Sequence, residues 1–348
     1  MTADAKTKME ADPRIDPRLK TVMGAFPTQA RADAESRAQL IAEANSDAAR
    51  AASSAMKAGM DALDSEEIAP SRGLVTETHE FVSAPDGNPV QVLLVRPDSA
   101  DPRPGVVYFH GGGMQTQSCF DGIYRAWGRT IAAQGVAVAM VDFRNCLVAS
   151  SAPEVAPFPA GLDDCVSSVH WVAKNAADLA IDPGHIVVAG ESGGGNLALA
   201  TGMRLAQEGD LGLVRGFYAM CPYIAGRWPQ DRFPSSIENN GLLLDLHNNR
   251  PAMAYGVEEL ERENPLAWPA FATEDDVRGF PPTVISVNEC DPLRDEGIEF
   301  FRTLLRAGVP ARCRQVMGTI HATEIFQNAC PDISRGTAAS LARFCRDA

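Results

Sequence analysis

Short apolar runs that alternate with helical stretches constrain the fold of this 348-residue chain more than any other feature. Three such runs, at 105–109, 136–141 and 186–189, are β-rich and apolar throughout. Continuous apolar runs are typical of strands that are buried on both faces of a parallel sheet. Helical stretches at about 124–134 and 162–175 lie between them. The pattern therefore predicts a doubly wound α/β sheet.

Other strand-like runs extend this predicted sheet. We expect strands at 90–95, 214–220, 283–287 and 311–316. A helix should follow Asp295 and end near Gly308, and a last helix should close the chain from Asp332. The predicted fold is therefore a mostly parallel central sheet that is flanked by helices.

Two regions depart from the alternation of strands and helices. In the Ala-rich N-terminal region, apolar spacing predicts a helix from Pro17 to Phe26 that Pro27 ends, and a second helical stretch over 32–63. Between 222 and 282 the rhythm lapses again, so both regions are candidates for a helical cap over one edge of the sheet. The expected domains are an N-terminal arm contributing to the cap (1–72), a core in two parts (73–221 and 283–348) and an inserted cap segment (222–282).

The segment Gly190-Glu191-Ser192-Gly193-Gly194 carries the strongest chemical signal. It follows an apolar strand and precedes a helix, which is the context of a nucleophile elbow. A serine at such a sharp turn is exposed at the sheet edge, and the N-terminus of the following helix favours negative charge beside it. Side chains at Gly190 and Gly194 would clash in that turn. We therefore predict that Ser192 is a nucleophile.

A second glycine-rich segment, His110-Gly111-Gly112-Gly113, directly follows the strand at 105–109. Alone it would indicate only a flexible turn. Successive glycines leave backbone N–H groups unobstructed, and such groups can stabilise a carbonyl oxygen as it gains charge. Upstream of a nucleophile elbow, the segment is therefore better interpreted as an oxyanion hole.

These two motifs together resemble those of the hormone-sensitive-lipase-like family of bacterial esterases. The similarity extends from about Val90 to the end of the chain. It implies the α/β-hydrolase fold with a helical cap made from the arm and the inserted segment. It also implies that the amides of Gly112, Gly113 and Gly193 form the oxyanion hole.

The family carries its triad acid in an Asp-Pro-Leu-Arg-Asp segment after a late strand, and Asp291 begins that segment here. The neighbouring acids Glu289 and Asp295 are its rivals. A carboxylate at the carboxyl end of a strand lies on the same edge as the nucleophile. In this fold the chain order is serine, acid, histidine, and His321 alone follows Asp291. The family's His-Gly-Phe is His321-Ala322-Thr323 in this sequence.

A loop distinguishes this chain from the family. The family's Asp-Tyr-Arg-Leu-Ala-Pro-Glu run is interrupted after Arg144 by extra residues, at 145–151, before Ala152 resumes it. Such a loop could border the site, but we interpret it as decoration of the surface.

The composition limits the possible binding partners and the cellular compartment of the protein. The formal net charge of -14 disfavours nucleic acid and anionic membranes, because both are polyanionic. Eight scattered cysteines form no Cys-x-x-Cys pair and no zinc-like spacing, which indicates buried reduced thiols. The N-terminus lacks the apolar stretch of a secretory signal, and no run is long enough to span a bilayer. We therefore expect a soluble cytoplasmic protein, and the family resemblance allows a homodimer.

The predicted reaction is the hydrolysis of a small-molecule ester through an acyl-enzyme, with no metal or organic cofactor. The resemblance suggests short- to medium-chain acyl groups. Met114, Phe120, Tyr124 and Trp127 follow the oxyanion motif and could line the pocket, with Met114 the candidate for substrate binding. Two alternatives remain open: an amide, carbamate or lactone hydrolase with the same triad, and a non-catalytic ligand receptor on this fold.

Overall fold

One eight-stranded sheet forms the centre of the structure, a computed structural model that describes residues 8–23 and 30–348. Its strands lie in the order β1-β2-β4-β3-β5-β6-β7-β8, where the pairs β1–β2 and β2–β4 are antiparallel and all later pairs are parallel. The strands are β1 (Leu74–Ser83), β2 (Asn88–Pro97), β3 (Arg103–Phe109), β4 (Ala137–Val141), β5 (Ile181–Glu191), β6 (Gly216–Met220), β7 (Thr283–Asn288) and β8 (Ala311–Val316). The predicted mostly parallel α/β sheet is confirmed.

Helices follow most of the strands and cover both faces of the sheet. The α-helices are α1 (Pro17–Met23), α2 (Arg37–Ala44), α3 (Asp47–Asp61), α4 (Gly122–Ala132), α5 (Ala160–Lys174), α6 (Gly193–Glu208), α7 (Ser235–Glu238), α8 (Arg250–Tyr255), α9 (Val257–Glu261), α10 (Arg294–Arg306) and α11 (Pro331–Asp347). Short 3₁₀ helices lie at Leu211–Leu213, Pro269–Phe271 and Thr323–Ile325. Among the described helices, none is long and apolar enough to cross a membrane.

Alternate residues of each central strand enter different apolar clusters. On β3, Val107 and Phe109 join the cluster that α5, α6 and α10 cover, whereas Val106 and Tyr108 join the cluster that α4 and α11 cover. Side chains of successive strand residues point to opposite faces, so burial of both faces requires apolar residues at every position. This explains why the central strands appear in the sequence as unbroken apolar runs.

The edge of the sheet differs from the sequence-based expectation. The sequence pattern predicts no strand at 74–83, yet β1 pairs along its whole length with β2. Thr76, Thr78, Glu80 and Val82 are exposed, whereas the residues between them are more buried, which suits an edge strand with one solvated face. The helical stretch expected over 32–63 is also divided, because Ser46 caps α3 by accepting a hydrogen bond from Ala49 N.

The N-terminal arm contacts the segment 222–282 at several points. Asn249 exchanges hydrogen bonds with the backbone of Ala34, at 2.8 and 3.0 Å. Lys8 donates to the carbonyl oxygens of Glu238 and Asn240. Within the described part of the arm, α1 agrees with the predicted helix, whereas Phe26 and Pro27 lie outside the described residues. The segment 222–282 contains only short helices, joined by turns.

Candidate active site

Ser192 lies between the end of β5 and the first residue of α6. Its backbone has φ 56° and ψ -119°, a conformation that costs a non-glycine residue about 1–3 kcal/mol. Hydrogen bonds hold this turn: Ser192 N donates to Met220 O, and Ser192 O accepts from Asn196 N and Tyr223 N. The strained turn presents a serine that is 9% exposed.

Two glycines make this turn sterically feasible. A Cβ atom at Gly190 would lie 2.3 Å from Gly194 O, and one at Gly194 would lie 2.0 Å from Phe109 O. Both contacts are with backbone atoms, which cannot rotate away. The positions two residues before and two residues after Ser192 therefore require glycine, as expected from the sequence.

The hydroxyl of Ser192, the ring of His321 and the carboxylate of Asp291 form a continuous chain of hydrogen bonds. Ser192 Oγ lies 2.9 Å from His321 Nε2, and His321 Nδ1 lies 2.8 Å from Asp291 Oδ2. His321 is 4% exposed and Asp291 is fully buried. The structure thus brings together three residues that the sequence separates by up to 129 positions.

The two rival acids are engaged elsewhere. Glu289 accepts a hydrogen bond from Gly318 N, and Asp295 binds Arg294 and the backbone of Ser235. Asp291, in contrast, uses Oδ1 to accept from Leu293 N at 2.9 Å, which leaves Oδ2 directed at His321. The turn after β7 therefore selects Asp291 as the residue that contacts the imidazole.

Burial and charge act in opposite directions on His321. Burial is the largest single influence and lowers the pKa of its imidazole, but the charge and hydrogen bond of Asp291, together with other nearby acids, outweigh it, so that the pKa lies above the usual value of 6.5. Glu191 and Glu324 contribute in the same direction as Asp291. The surroundings therefore stabilise the imidazolium that forms when His321 takes a proton.

The two turns that carry the expected oxyanion amides are in close contact. Gly112 and Gly113 have φ 90° and 63°, and a Cβ atom at Gly193 would lie only 2.9 Å from Gly113 N. Over residues 8–23 and 30–348, no acceptor pairs with the amides of Gly112, Gly113 or Gly193. The amide of Gly111 is different, because it donates to Glu191 Oε1 at 2.6 Å. Three free amides therefore lie beside Ser192.

Glu191 lies inside the nucleophile motif, and the motif itself predicts no role for its side chain. Its carboxyl group is buried and contacts Tyr108 OH, Tyr124 OH and Gly111 N. Burial raises the pKa of Glu191 to about 7. A buried acid with three donors joins the oxyanion turn, which we define as residues 111–117, to the strand that carries Ser192. The position of a glutamate inside a motif expected to be buried was the signal in the sequence, because Glu is rarely buried without partners.

The departure from the family's His-Gly-Phe has a local structural consequence. Ala322 adopts φ 55°, a left-handed conformation that favours glycine. Thr323 holds this turn, because its hydroxyl accepts from Ile320 N and donates to Ile320 O. Alanine is thus accommodated after His321 through a side-chain hydrogen bond that the family pattern does not include.

The aromatic residues that could line the pocket pack in or against the apolar core, and their role in the pocket stays a prediction. Trp127 and Tyr124 are buried in the apolar cluster under α4, and Phe120 packs against that cluster, because α4 turns its apolar face to the sheet. Met114 is 1% exposed and belongs to the cluster on the other face. The structure shows Met114 as a core residue, and its role in substrate binding stays a prediction.

The interpretation of residues 145–151 as surface decoration is wrong for the first half of the loop. Asn145, Cys146 and Leu147 are buried. Cys146 N donates to Met114 O at 2.8 Å, and Asn145 Nδ2 donates to Gln117 O at 2.8 Å. The loop borders the site because its backbone groups satisfy those of the oxyanion turn.

No other histidine of the described residues forms a hydrogen bond with Ser192. His110 stacks on Phe143 with ring centroids 4.2 Å apart, and burial lowers the pKa of its imidazole. His79, His170, His185 and His247 pair with other groups.

Two groups of potential metal ligands occur among the described residues. Cys221, Asp291 and His321 place ligand atoms within 4.8 Å of one another. Asp291 and His321 already bind each other, and burial raises the pKa of the Cys221 thiol well above its usual value, so the thiolate that a metal needs is disfavoured. The second group, His170, Glu208 and Asp210, lies on the surface.

The fold and this geometry define the class of α/β hydrolases. The α/β hydrolase fold family matches residues 106–325, more than half of the chain. An esterase named LipI from Mycobacterium tuberculosis is 31% identical over 69% of this chain and 72% of its own length. A carboxylesterase named NlhH from the same species is 32% identical over 71% of this chain and 74% of its own length.

Solved structures agree with this result over nearly the whole chain. The esterase Est22 is 61% identical, covers 98% of this chain and 100% of its own, and superposes with a TM-score of 0.95. Brefeldin A esterase, a bacterial homologue of human hormone-sensitive lipase, is 35% identical over 97% of this chain and 95% of its own, with a TM-score of 0.86. The chain therefore belongs to the α/β hydrolase fold family. It is a carboxylic ester hydrolase, and the resemblance to hormone-sensitive-lipase-like esterases is confirmed.

Proposed function

We propose that this enzyme hydrolyses short- to medium-chain acyl esters through an acyl-enzyme on Ser192, with His321 as general base and Asp291 as the residue that orients it. The observation that carries the proposal is the unbroken path from Ser192 Oγ through both ring nitrogens of His321 to Asp291, at 2.9 and 2.8 Å. Nucleophile, base and orienting acid need this order of contacts for covalent catalysis.

In the acylation step, Ser192 Oγ bonds to the ester carbonyl carbon while its proton passes to His321 Nε2. The carbonyl oxygen becomes an oxyanion, which the free amides of Gly112, Gly113 and Gly193 stabilise. The carbon–oxygen bond to the alcohol then breaks, and His321 returns the proton to the leaving oxygen. Water attacks the acyl-enzyme in the same way, releases the acid and restores the serine.

We further propose that the N-terminal arm and the segment 222–282 form a cap over this edge of the sheet, which limits the acyl chain. A shared apolar cluster supports this proposal. Ile15 and Leu19 of the arm and Leu242 of the inserted segment pack with Ile320 and Cys290, which are next to His321 and Asp291 in the chain. A cap held against the loops of the base and the acid leaves limited room for long acyl chains.

The cysteines support a cytoplasmic location for the protein. All eight are unpaired thiols, and seven of them are buried. Unpaired buried thiols are typical of proteins in reducing compartments. The homodimer that the family resemblance allows stays a prediction, which light scattering on the purified protein would test.

Substitution of the nucleophile tests the reaction. Ser192→Ala should abolish hydrolysis of p-nitrophenyl esters from acetate to octanoate and should prevent labelling by a fluorophosphonate probe. Ser53→Ala is the matched control, because Ser53 is an exposed residue of α3. Retained turnover in Ser192→Ala would refute the assignment. Matched amide and lactone substrates on the wild-type enzyme would show whether esters are preferred, and a flat profile from acetate to longer chains would count against the cap.

A further inference from the structure

We propose that the N-terminal arm positions the oxyanion turn of this enzyme through residues 145–148, with Arg37 and Asn45 as positioning residues; the inference rests on the proposed function. We call residues 145–148 the bridge. It belongs to the stretch that interrupts the family's sequence pattern after Arg144, and it touches the arm on one side and the oxyanion turn on the other.

On the side of the site, the bridge donates hydrogen bonds to three carbonyl oxygens of the oxyanion turn. Cys146 N donates to Met114 O at 2.8 Å. Leu147 N and Val148 N both donate to the carbonyl oxygen of the next residue in the turn, at 3.2 and 3.0 Å. Asn145 Nδ2 donates to Gln117 O at 2.8 Å. Four donors thus fix carbonyl oxygens of the turn that carries the oxyanion amides.

The oxyanion turn needs such support because its backbone is strained. Met114 and Gln117 have φ 58° and 75°, which are rarely adopted by residues other than glycine. Strained conformations of this kind persist only where the surroundings over-determine them. Within the turn, the amides of Gln115 and Thr116 both bond to Gly112 O, so the position of Gly112 is linked to the residues that the bridge holds.

On the opposite side, two polar side chains of the arm hold the bridge. Arg37 Nη2 donates to Cys146 O at 2.6 Å, and Asn45 Nδ2 donates to Leu147 O at 3.2 Å. Cys146 and Leu147 are two of the three bridge residues whose amides bond to the oxyanion turn. Leu40, between them on α2, is buried in the apolar cluster that also contains Cys146, Leu147 and Met114. Arm, bridge and turn therefore form one connected unit.

A displacement of this unit would reach the reacting atoms directly. A Cβ atom at Gly193 would lie 2.6 Å from Met114 N and 2.9 Å from Gly113 N, so the turn is in close contact with the amide that follows Ser192. Loss of the hydrogen bonds from Arg37 or Asn45 frees the bridge to move. The oxyanion turn then shifts relative to the amide of Gly193. Such a change weakens stabilisation of the oxyanion and leaves the ground-state ester pocket in place.

Steady-state kinetics of Arg37→Ala and Asn45→Ala on p-nitrophenyl butyrate test this inference. We expect kcat to fall by about tenfold to a hundredfold, because a misplacement of about 1 Å in a site costs rates of that order. KM should change by less than about twofold. Arg37→Lys should recover part of the rate by restoring one donor. The matched control is Arg50→Ala, an exposed arginine on the neighbouring helix α3, which should behave like the wild type.

A second readout separates positioning from packing. A trifluoromethyl ketone forms a tetrahedral adduct with an oxyanion, so its inhibition constant should rise by the same factor as kcat/KM falls. Inhibition by the product 4-nitrophenol should not change. If Arg37→Ala does not fold, Asn45→Ala and Arg37→Lys decide the question.

The possible results lead to different conclusions. The inference is overturned if Arg37→Ala and Asn45→Ala keep the wild-type kcat and ketone affinity, or if they alter only the melting temperature and KM. Failure of the proposed function would look different, because Ser192→Ala would then retain activity whatever the arm variants do.

Discussion

Gly194→Ala provides a severe test of the proposed nucleophile turn. The added Cβ atom would lie 2.0 Å from Phe109 O, 2.6 Å from Phe109 C and 2.6 Å from His110 O. All three atoms belong to the backbone where β3 passes into the oxyanion turn. No side chain can move to relieve the contact, so either the start of α6 or the end of β3 must shift.

The size of that shift follows from the structure. Ordinary contact begins at 3.4 Å, and the closest distance is 2.0 Å, so the two backbones must separate by about 1.4 Å. Overpacking of this kind typically costs about 1–3 kcal/mol, and contact with backbone points to the upper end of that range. A displacement of about 1 Å at a catalytic centre can cost about a hundredfold in rate. We therefore expect kcat/KM to fall by at least about a hundredfold and the melting temperature to fall by on the order of 5 °C.

The assay compares p-nitrophenyl butyrate hydrolysis and thermal unfolding with those of Gly336→Ala. Gly336 lies exposed in α11, and a Cβ atom there meets nothing within 4 Å. That control should keep full activity and gain about 0.5–1 kcal/mol of stability, because alanine favours a helix over glycine. Wild-type kcat and melting temperature in Gly194→Ala would refute the geometry of the turn and the requirement for glycine.

Three further predictions concern titratable groups. Asp291→Asn should lower kcat by several orders of magnitude, about 10⁴ in comparable triads, whereas Asp295→Asn should stay near wild type. The reverse result would show that Asp295, and not Asp291, is the acid of the triad. kcat/KM should fall as the pH drops through the pKa of His321, at a pH above the usual 6.5, because the base must be neutral; pH profiles should show this limb move to lower pH in Asp291→Asn. Burial raises the pKa of Glu296 to about 8 from 4.5, so the folded state binds its proton more tightly and stability falls as the pH rises between those values. In thermal melts from pH 5 to 9, the melting temperature of Glu296→Gln should rise relative to that of the wild type as the pH increases. A constant difference between the two melting temperatures would contradict this.

The central sheet could be predicted because its strands are buried on both faces. β7 is buried at every position and extends only one residue beyond the expected run, and β4, also buried throughout, begins only one residue after the start of its expected run. β1 could not be recognised in the same way, because an edge strand with a solvated face has no unbroken apolar run. Its pairing depends on β2, and a pairing partner is a tertiary contact that local sequence does not specify.

The role of Ser192 in the nucleophile turn could be predicted from the sequence for a related reason. A sharp turn between a strand and a helix limits which residues fit around Ser192, so the constraint appears in adjacent sequence positions. The bridge had no such signature. Asn145 and Cys146 are buried only because carbonyl oxygens of the oxyanion turn, about thirty residues earlier, accept their hydrogen bonds. From its sequence alone, an inserted stretch looks like a surface loop. Its buried position becomes clear only when the hydrogen-bond partners of the buried backbone groups are identified.

Buried carboxyl groups hold the loops that converge on Ser192, and this is the main feature the sequence did not reveal. Glu191 binds the amide of Gly111, Glu296 binds the amides of residues 224 and 225 and the indole of Trp228, and Glu324 binds Asn288. A buried carboxyl group lowers the stability of the fold unless hydrogen-bond donors satisfy it. The loops that supply these donors are therefore constrained to keep them in place. Because Glu191 and Glu324 also raise the pKa of His321, the groups that fix the loops also strengthen the base. Two of the acids that fix the loops therefore add to the effect of Asp291 on the basicity of the imidazole.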